Sequence, residues 1–430
     1  MKKSHLLSGI LISLLVLFPI MAGATRLLVW TNNNLTGARD VECGIEFLLE
    51  GDEATVAHSG YDDDTHHNLE SYVIPDTIYN ADGREWIVTR LGGNAFFSCP
   101  KLKSVSLPKT LRQIDAGAFG FCLSLEELYI PAGVHKITAP IFVSNNGDGT
   151  DYEGKTQKIR KLSVDQDNEV YYSESNCILE KSSRKLIQGC SSSVIPDYVT
   201  TIGQNAFSHT WMGDEHLNIP ESVVCIEDWA FSDLHTTTGF DFPSHIQELG
   251  LGIFAFAQLL FFDGIQDFIV PEGITKLLGT FLFAPDTHSI TLPSTLSEID
   301  AFSFYENGDS WRYLVCYAKT PPAVIPNDEV FWEGVYKVEE KDILNNDDYY
   351  PGIFLLVPRE SIEQYKLAPY WRQFPLICAI EDGVEAALAL GIEQVSQPKS
   401  KGTIYDLNGV RLSQPRKGIN IQNGKKVIIK

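Results

Sequence analysis

The chain has 430 residues, 44% of them hydrophobic, and 34 basic against 56 acidic side chains give a formal net charge of −22. A surface so acidic repels nucleic acid and anionic membranes, which argues against both as non-specific partners. Eight cysteines without a C-x-x-C pair argue against a zinc site.

Lys2 and Lys3 precede an apolar run from Leu6 to Met21, and Ala22-Gly23-Ala24 follows it. This is the three-part pattern of a secretory signal peptide, cleaved near Ala24. The run falls short of the roughly 20 residues a spanning helix needs. No later segment is long and apolar enough to serve, so no membrane span is expected. Residues 25–91 read as an N-terminal β cap, in which "GIEFLLEGDEATVAH" alternates like a strand pair.

A repeat fills residues 92–312. Prolines stand at 108, 131, 196, 220, 243, 271 and 293. Phe119, Phe142, Phe207, Phe231 and Phe254 follow the first five at a constant offset; Phe281 and Phe302 follow the last two at shorter ones, and Phe96 heads the series. Three residues after each proline come Leu111, Val134, Val199, Val223, Ile246, Ile274 and Leu296; six after come Ile114, Ile137, Ile202, Ile226, Leu249, Leu277 and Ile299. The unit, φ-x-φ-Pro-x-x-φ-x-x-φ-x-x-x-Ala-Phe, is about 23 residues long, the length range of stacked solenoid repeats. Two apolar residues before each proline read as a short strand buried on one face. Proline ends it, because it cannot donate to a ladder. The next apolar pair reads as a second turn, and phenylalanine closes the coil. One coil cannot bury these residues alone, but stacked coils share them. An insertion and strand-rich interlude spans 143–194. Cys99 and Cys122 hold one position in successive repeats, which suits a ladder of buried thiols; rungs so stacked are also near enough for an oxidised pair.

After the array, residues 313–381 read as a C-terminal cap. Within it Ser361 to Lys366 is a short helix with Ser361 near its N-cap and with Trp371 and Phe374 packing back. Residues 382–401 read as a linker. Residues 402–430 carry Asn-Gly turns at Asn408-Gly409 and Asn423-Gly424, which favour tight hairpins.

The strings "LKSVSLPKTLRQIDAGAFGFCLSLEELYIP", "SSVIPDYVTTIGQNAFS" and "NEVYYSESNCILEKSSRKLIQGC" resemble the BspA-like leucine-rich-repeat family of bacterial surface proteins, over roughly residues 45–380. The resemblance implies a mainly β leucine-rich-repeat solenoid of parallel stacked short strands with caps at both ends. It also implies adhesion or protein recognition. The tail is similar to the C-terminal sorting signal of the type IX secretion pathway in Tyr405-Asp406-Leu407, Gly409, Lys417-Gly418, Ile421 and Asn423-Gly424-Lys425. It departs at Asn420, where an aromatic is usual, and in its shortness. That likeness implies passage to the outer surface or medium and removal of the tail.

Motifs for chemistry are sparse. H-E-x-x-H and G-x-S-x-G are absent. Gly250 to Ala255 matches G-x-G-x-x-A, but it contains the rung residue Phe254 and lacks the strand before and long helix after that a dinucleotide site requires. Asp62-Asp63-Asp64 with His66-His67 reads as a solvated loop of the cap rather than a metal site. Asn145 to Asp151 resembles a calcium loop in composition alone, without the EF-hand order. No catalytic residues, cofactor or metal are expected. Side chains alternate along a strand, so positions two and four before each proline face outward. These are Ser104 and Ser106, Glu127 and Tyr129, His216 and Asn218, Asp241, Asp267 and Ile269, then Ser289 and Thr291. They form the candidate binding face. The expected partner is an extracellular or envelope protein, or a glycan. The alternatives are a structural or scaffolding role in the envelope and, ranked last, a secreted hydrolase.

Overall fold

The computed structural model describes residues 27–32, 35–40, 44–57, 68–143, 158–213, 217–236, 240–241, 243–255, 258–259, 266–280, 287–300, 303, 313–325, 354–374 and 376–383, and four strands of the tail. The leader, the acidic loops at 62–67, 145–151 and 345–348, and rung residues Phe281 and Phe302 lie outside them. The chain divides into two units, residues 1–159 with 164–170, and residues 160–163 with 171–430.

Unit 1 begins with an antiparallel run. Leu27–Asn32 pairs with Leu35–Asp40, that with Glu46–Glu50, and that with Glu53–Ala57. The last strand then pairs in parallel with Glu85–Leu91, where the coil pattern takes over. From there Gln113–Ile114 and Lys136–Ile137 continue the same ladder, all parallel. The apolar residues six after each proline therefore belong to a second β ladder, a firmer element than the turn read from sequence. The strand before the proline makes its own ladder, Ser71–Val73 against Ser104–Ser106.

Unit 2 repeats the scheme. The hairpins Tyr171–Glu174, Cys177–Glu180 and Lys185–Gln188 start it, and Thr201–Ile202, Cys225–Ile226 and Glu248–Leu249 follow in parallel. A parallel sheet of Gln266–Ile269, Thr287–Leu292, Tyr313–Cys316, Phe354–Val357 and Leu376–Ala379 ends it. Both units are stacks of parallel coils, the β-rich solenoid expected of the repeat.

The phenylalanines form the third side of each coil. Phe96 and Phe119 stack at 5.3 Å in unit 1; Phe207, Phe231 and Phe254 stack at 5.6 Å per step in unit 2, and all five are fully buried. Main-chain bonds tie each turn to the next coil: Phe96 N–H donates to Ala118 O, Phe207 to Ala230 O and Phe231 to Ile253 O, at 2.8 to 3.0 Å. Making that bond bends the backbone through the left-handed region on both sides of the ring. Two residues before it, φ is positive at Asn94, Gly117, Asn205, Trp229 and Gly252; two after it, at Ser98, Phe121, His209 and Asp233. Asn and Gly suit that region; an indole-bearing residue such as Trp229 pays about 1–2 kcal/mol to be there. In the opening coil of unit 2 the ring's place falls to Gly189, whose N–H bonds Ala206 O. A Cβ there would sit 2.1 Å from Phe207, so the missing side chain makes room for the first ring of the stack.

Polar residues lace the coil edges. Glu221 accepts from the Ser244 N–H and hydroxyl, Glu272 from those of Ser294, and Asp76 from the Lys109 N–H, at 2.7 to 3.0 Å. In each pair both residues directly follow a proline, so one coil's carboxylate satisfies the next coil's open amide. In unit 1, the fully buried Asn168 donates to Pro131 O and Val134 O and accepts from Val170 N–H, fastening the strand-rich interlude to the last proline turn.

The helix Ile362–Leu367 closes the core of unit 2. Fully buried Tyr365 donates to Ala318 O at 2.8 Å, and the Trp371 indole N–H donates to Pro322 O at 2.8 Å, with Phe374 stacked on Trp371. Ser361 occupies the N-cap position but makes no side-chain cap bond; its hydroxyl donates instead to Lys319 O at 2.7 Å. The tail strands Ile404–Tyr405, Arg411–Leu412, Gly418–Gln422 and Lys425–Ile429 form one antiparallel sheet.

Candidate functional site

The outward positions of the proline-side strands are set by alternation against the buried ones. In unit 1, Ser104 and Ser106 flank half-buried Val105 and are exposed. Glu127 and Tyr129 are exposed between buried Leu128 and Ile130, with Tyr129 at 51%. The Tyr129 hydroxyl donates to Asp165 at 2.5 Å, and the Asp167 N–H donates to the same carboxylate at 2.9 Å. These bonds hold the Asp165 acid below its ordinary value, and the same hydrogen bond to Asp165 raises the Tyr129 phenol. The hydroxyl is thus tethered while half of the side chain stays exposed.

In unit 2, Asn218 is exposed and Ile269 is 64% exposed, while Thr291 is half-buried. Asp241 and Asp267 lie in strands Phe240–Asp241 and Gln266–Ile269, with side chains outside the described set; His216 lies outside the described residues. Ser289 corrects the expectation, being 1% exposed. Its rung runs on to Tyr313 and Phe354, whose rings stack at 5.7 Å. On that same face Val315, Phe354, Leu356 and Cys378 form a second buried cluster. The outward face turns apolar and covered toward the C-terminal cap, and the small serine falls within that cover.

Sequence reasoning missed two members of the face. Val73 precedes Pro75 by two residues and is 73% exposed; Val194 precedes Pro196 by two and is 66% exposed. With Tyr129 and Ile269 they make four exposed apolar side chains at one offset, two in each unit. The signal lay in the proline spacing, but Pro75 belongs to the cap and Val194 follows the interlude without a strand of its own.

A buried acid with two histidines has structural partners. Asp233 is buried, and its carboxylate lies 2.7 Å from His209 Nδ1 and 3.3 Å from His235 Nε2. Burial alone would raise this acid, but the two histidine bonds outweigh it and lower it. His235 also stacks on Trp211 at 5.3 Å. In the G-x-G-x-x-A stretch, Gly250 is needed because a Cβ would lie 2.4 Å from Asp228 N, and Phe254 is a rung of the core. Its glycines answer to coil packing rather than to a phosphate. Among the described residues, no group of three or more His, Cys, Asp or Glu is placed to hold a metal, and no helix is long and apolar enough to cross a membrane.

Six copies of the BspA type leucine rich repeat region match residues 66–165 and 183–309, more than half of the chain. The chain belongs to the BspA-type leucine-rich-repeat family. No curated protein matches it. Among solved structures, this BspA-type protein is similar to the pneumococcal vaccine antigen PcpA, with 13% identity, 83% of this chain and 99% of that one covered, and a TM-score of 0.46. It is similar to a leucine rich cell surface protein from Faecalibacterium prausnitzii, with 17% identity, 67% and 94% covered, and a TM-score of 0.39. A leucine-rich repeat protein from Bacteroides ovatus shares 13% identity over 80% of this chain and 79% of that one, with a TM-score of 0.36.

Proposed function

We propose that this chain is an exported, surface-displayed recognition protein that binds an extracellular or envelope protein, or a glycan, through the proline-side strand face that each unit carries. The observation that carries the reading is the recurrence of exposed Val73, Tyr129, Val194 and Ile269 two residues before a proline, in a chain of net charge −22. Val73, Tyr129 and Ile269 are presented from hydrogen-bonded ladders and lose little freedom on binding, which favours affinity built from many small contacts. Tyr129, tethered to Asp165, is the largest of them and the natural anchor, tyrosine being enriched at the centres of interfaces.

In this reading residues 1–24 are a leader removed on export, 25–91 and 313–381 are caps, 382–401 is a linker, and 402–430 is a sorting tail of the type IX kind. Binding of the purified chain to a panel of extracellular-matrix proteins, envelope fractions and glycans tests recognition. Saturable binding to one external component supports it, and uniform absence of binding overturns it. Deletion of 402–430 tests the route: the shortened chain accumulates in the periplasm, and unchanged export refutes the tail's role.

A further inference from the structure

We propose that Cys99 and Cys122 close into a disulfide rung joining successive coils of unit 1. The two residues are equivalent by four observations. Each lies three after a rung phenylalanine, and those rings, Phe96 and Phe119, stack at 5.3 Å with an 11° tilt. Between them the turn ladder is regular: Phe96 N–H donates to Ala118 O and Ser98 N–H to Gly120 O, both at 2.8 Å. Each cysteine carbonyl accepts from the amide three residues on, Leu102 N–H and Leu125 N–H, both at 3.1 Å. Each side chain is fully buried. Beside them the coils repeat at the 5.3 Å of the ring stack, inside the roughly 4.4–6.8 Å between Cα atoms that a disulfide spans.

The direction of the thiol completes the geometry. Cys122 Sγ points back into the coil that carries Cys99, 3.1 Å from Phe96 O. Burial, and then contact with the Cys99 thiol, push the Cys122 thiol well above its ordinary range. Such a pair is inert once packed, so the bond forms while the coils close. The co-reactant is a small or protein disulfide. One cysteine thiolate attacks it and displaces a thiolate; the partner cysteine then attacks the mixed disulfide and displaces the second. Two protein thiols lose two protons and two electrons, and the acceptor disulfide is reduced to two thiols.

Cys177 and Cys190 form an internal contrast. The Ser193 hydroxyl contacts both thiols, a partner that neither Cys99 nor Cys122 is given. They are expected to remain thiols. The rung deepens the export reading, since disulfides persist in oxidising compartments, and its test is independent of export.

The full chain is reduced in denaturant, refolded into glutathione and glutathione disulfide, trapped with N-ethylmaleimide and digested with trypsin. Cys99 and Cys122 fall in separate peptides, 91–101 and 113–136. The expected result is these two peptides linked, released on reduction, with Cys177 and Cys190 alkylated. Alkylation of Cys99 and Cys122 in chain that has regained its native circular dichroism overturns the proposal. The variant C99S/C122S gives a second readout. The wild-type unfolding midpoint falls when reductant is added and the variant's does not; an equal response in both also overturns it.

Discussion

Replacing Phe231 with alanine removes the middle ring of the unit 2 stack. Phe231 is fully buried, with Phe207 and Phe254 each 5.6 Å away at 20° and 10°. Buried Phe→Ala changes cost about 3–5 kcal/mol. The upper part of that range is expected, because both neighbours are held in register by their own inter-coil bonds and the gap cannot collapse. The two lost ring pairs, about 0.5–1.5 kcal/mol each beyond the area lost, are part of that cost and also place it high in the range. The expected loss is therefore about 4–5 kcal/mol, with F231L costing clearly less because it keeps part of the volume. Urea unfolding followed by circular dichroism and tryptophan fluorescence measures it, with N218A as a surface control. A loss below about 1 kcal/mol for F231A, or one equal to the control, would refute the shared-rung account.

Two further predictions test the coil turns and the buried acid. G252A is expected to destabilise by more than the roughly 1 kcal/mol of a left-handed residue, since its Cβ would also meet the Trp229 ring at 2.5 Å. In a W229N background only the backbone cost remains, so a double-mutant cycle returns a coupling of at least about 0.5 kcal/mol, and zero coupling contradicts the packing described. Asp233 is held below its ordinary value of 3.8 in the fold, so its contribution is complete above that pH and is lost as pH falls through the lower folded value. The stability gap between wild type and D233N should therefore shrink below pH 3.8, as measured by unfolding midpoints across pH; a gap that widens on acidification would contradict the sign.

Much of this fold was legible because one spacing recurs. Proline ended each strand, and Leu111, Val134, Val199, Val223, Ile246, Ile274 and Leu296 are all buried as that spacing required. The left-handed residues around each phenylalanine were not legible. Asn94, Gly117 and Asn205 have the right chemistry, but Trp229, Phe121 and Ser98 do not, and there the inter-coil hydrogen bonds override local preference. Asn168 reads as an ordinary loop asparagine until its three main-chain partners are seen. On the face, alternation gave Ser104, Ser106, Glu127, Tyr129, Asn218 and Ile269 their outward positions. It failed at Ser289, because exposure depends on what stands on the next strands as well as on the pleat.

The most direct test of the recognition claim is the variant V73S/Y129S/V194S/I269S, which changes only side chains that already face solvent. Its binding to whichever extracellular or envelope component the wild type captures is expected to weaken at least about tenfold, equivalent to about 1.4 kcal/mol, with the unfolding midpoint unchanged. Wild-type affinity in that variant would contradict the assignment of binding to the proline-side strand faces of the two units.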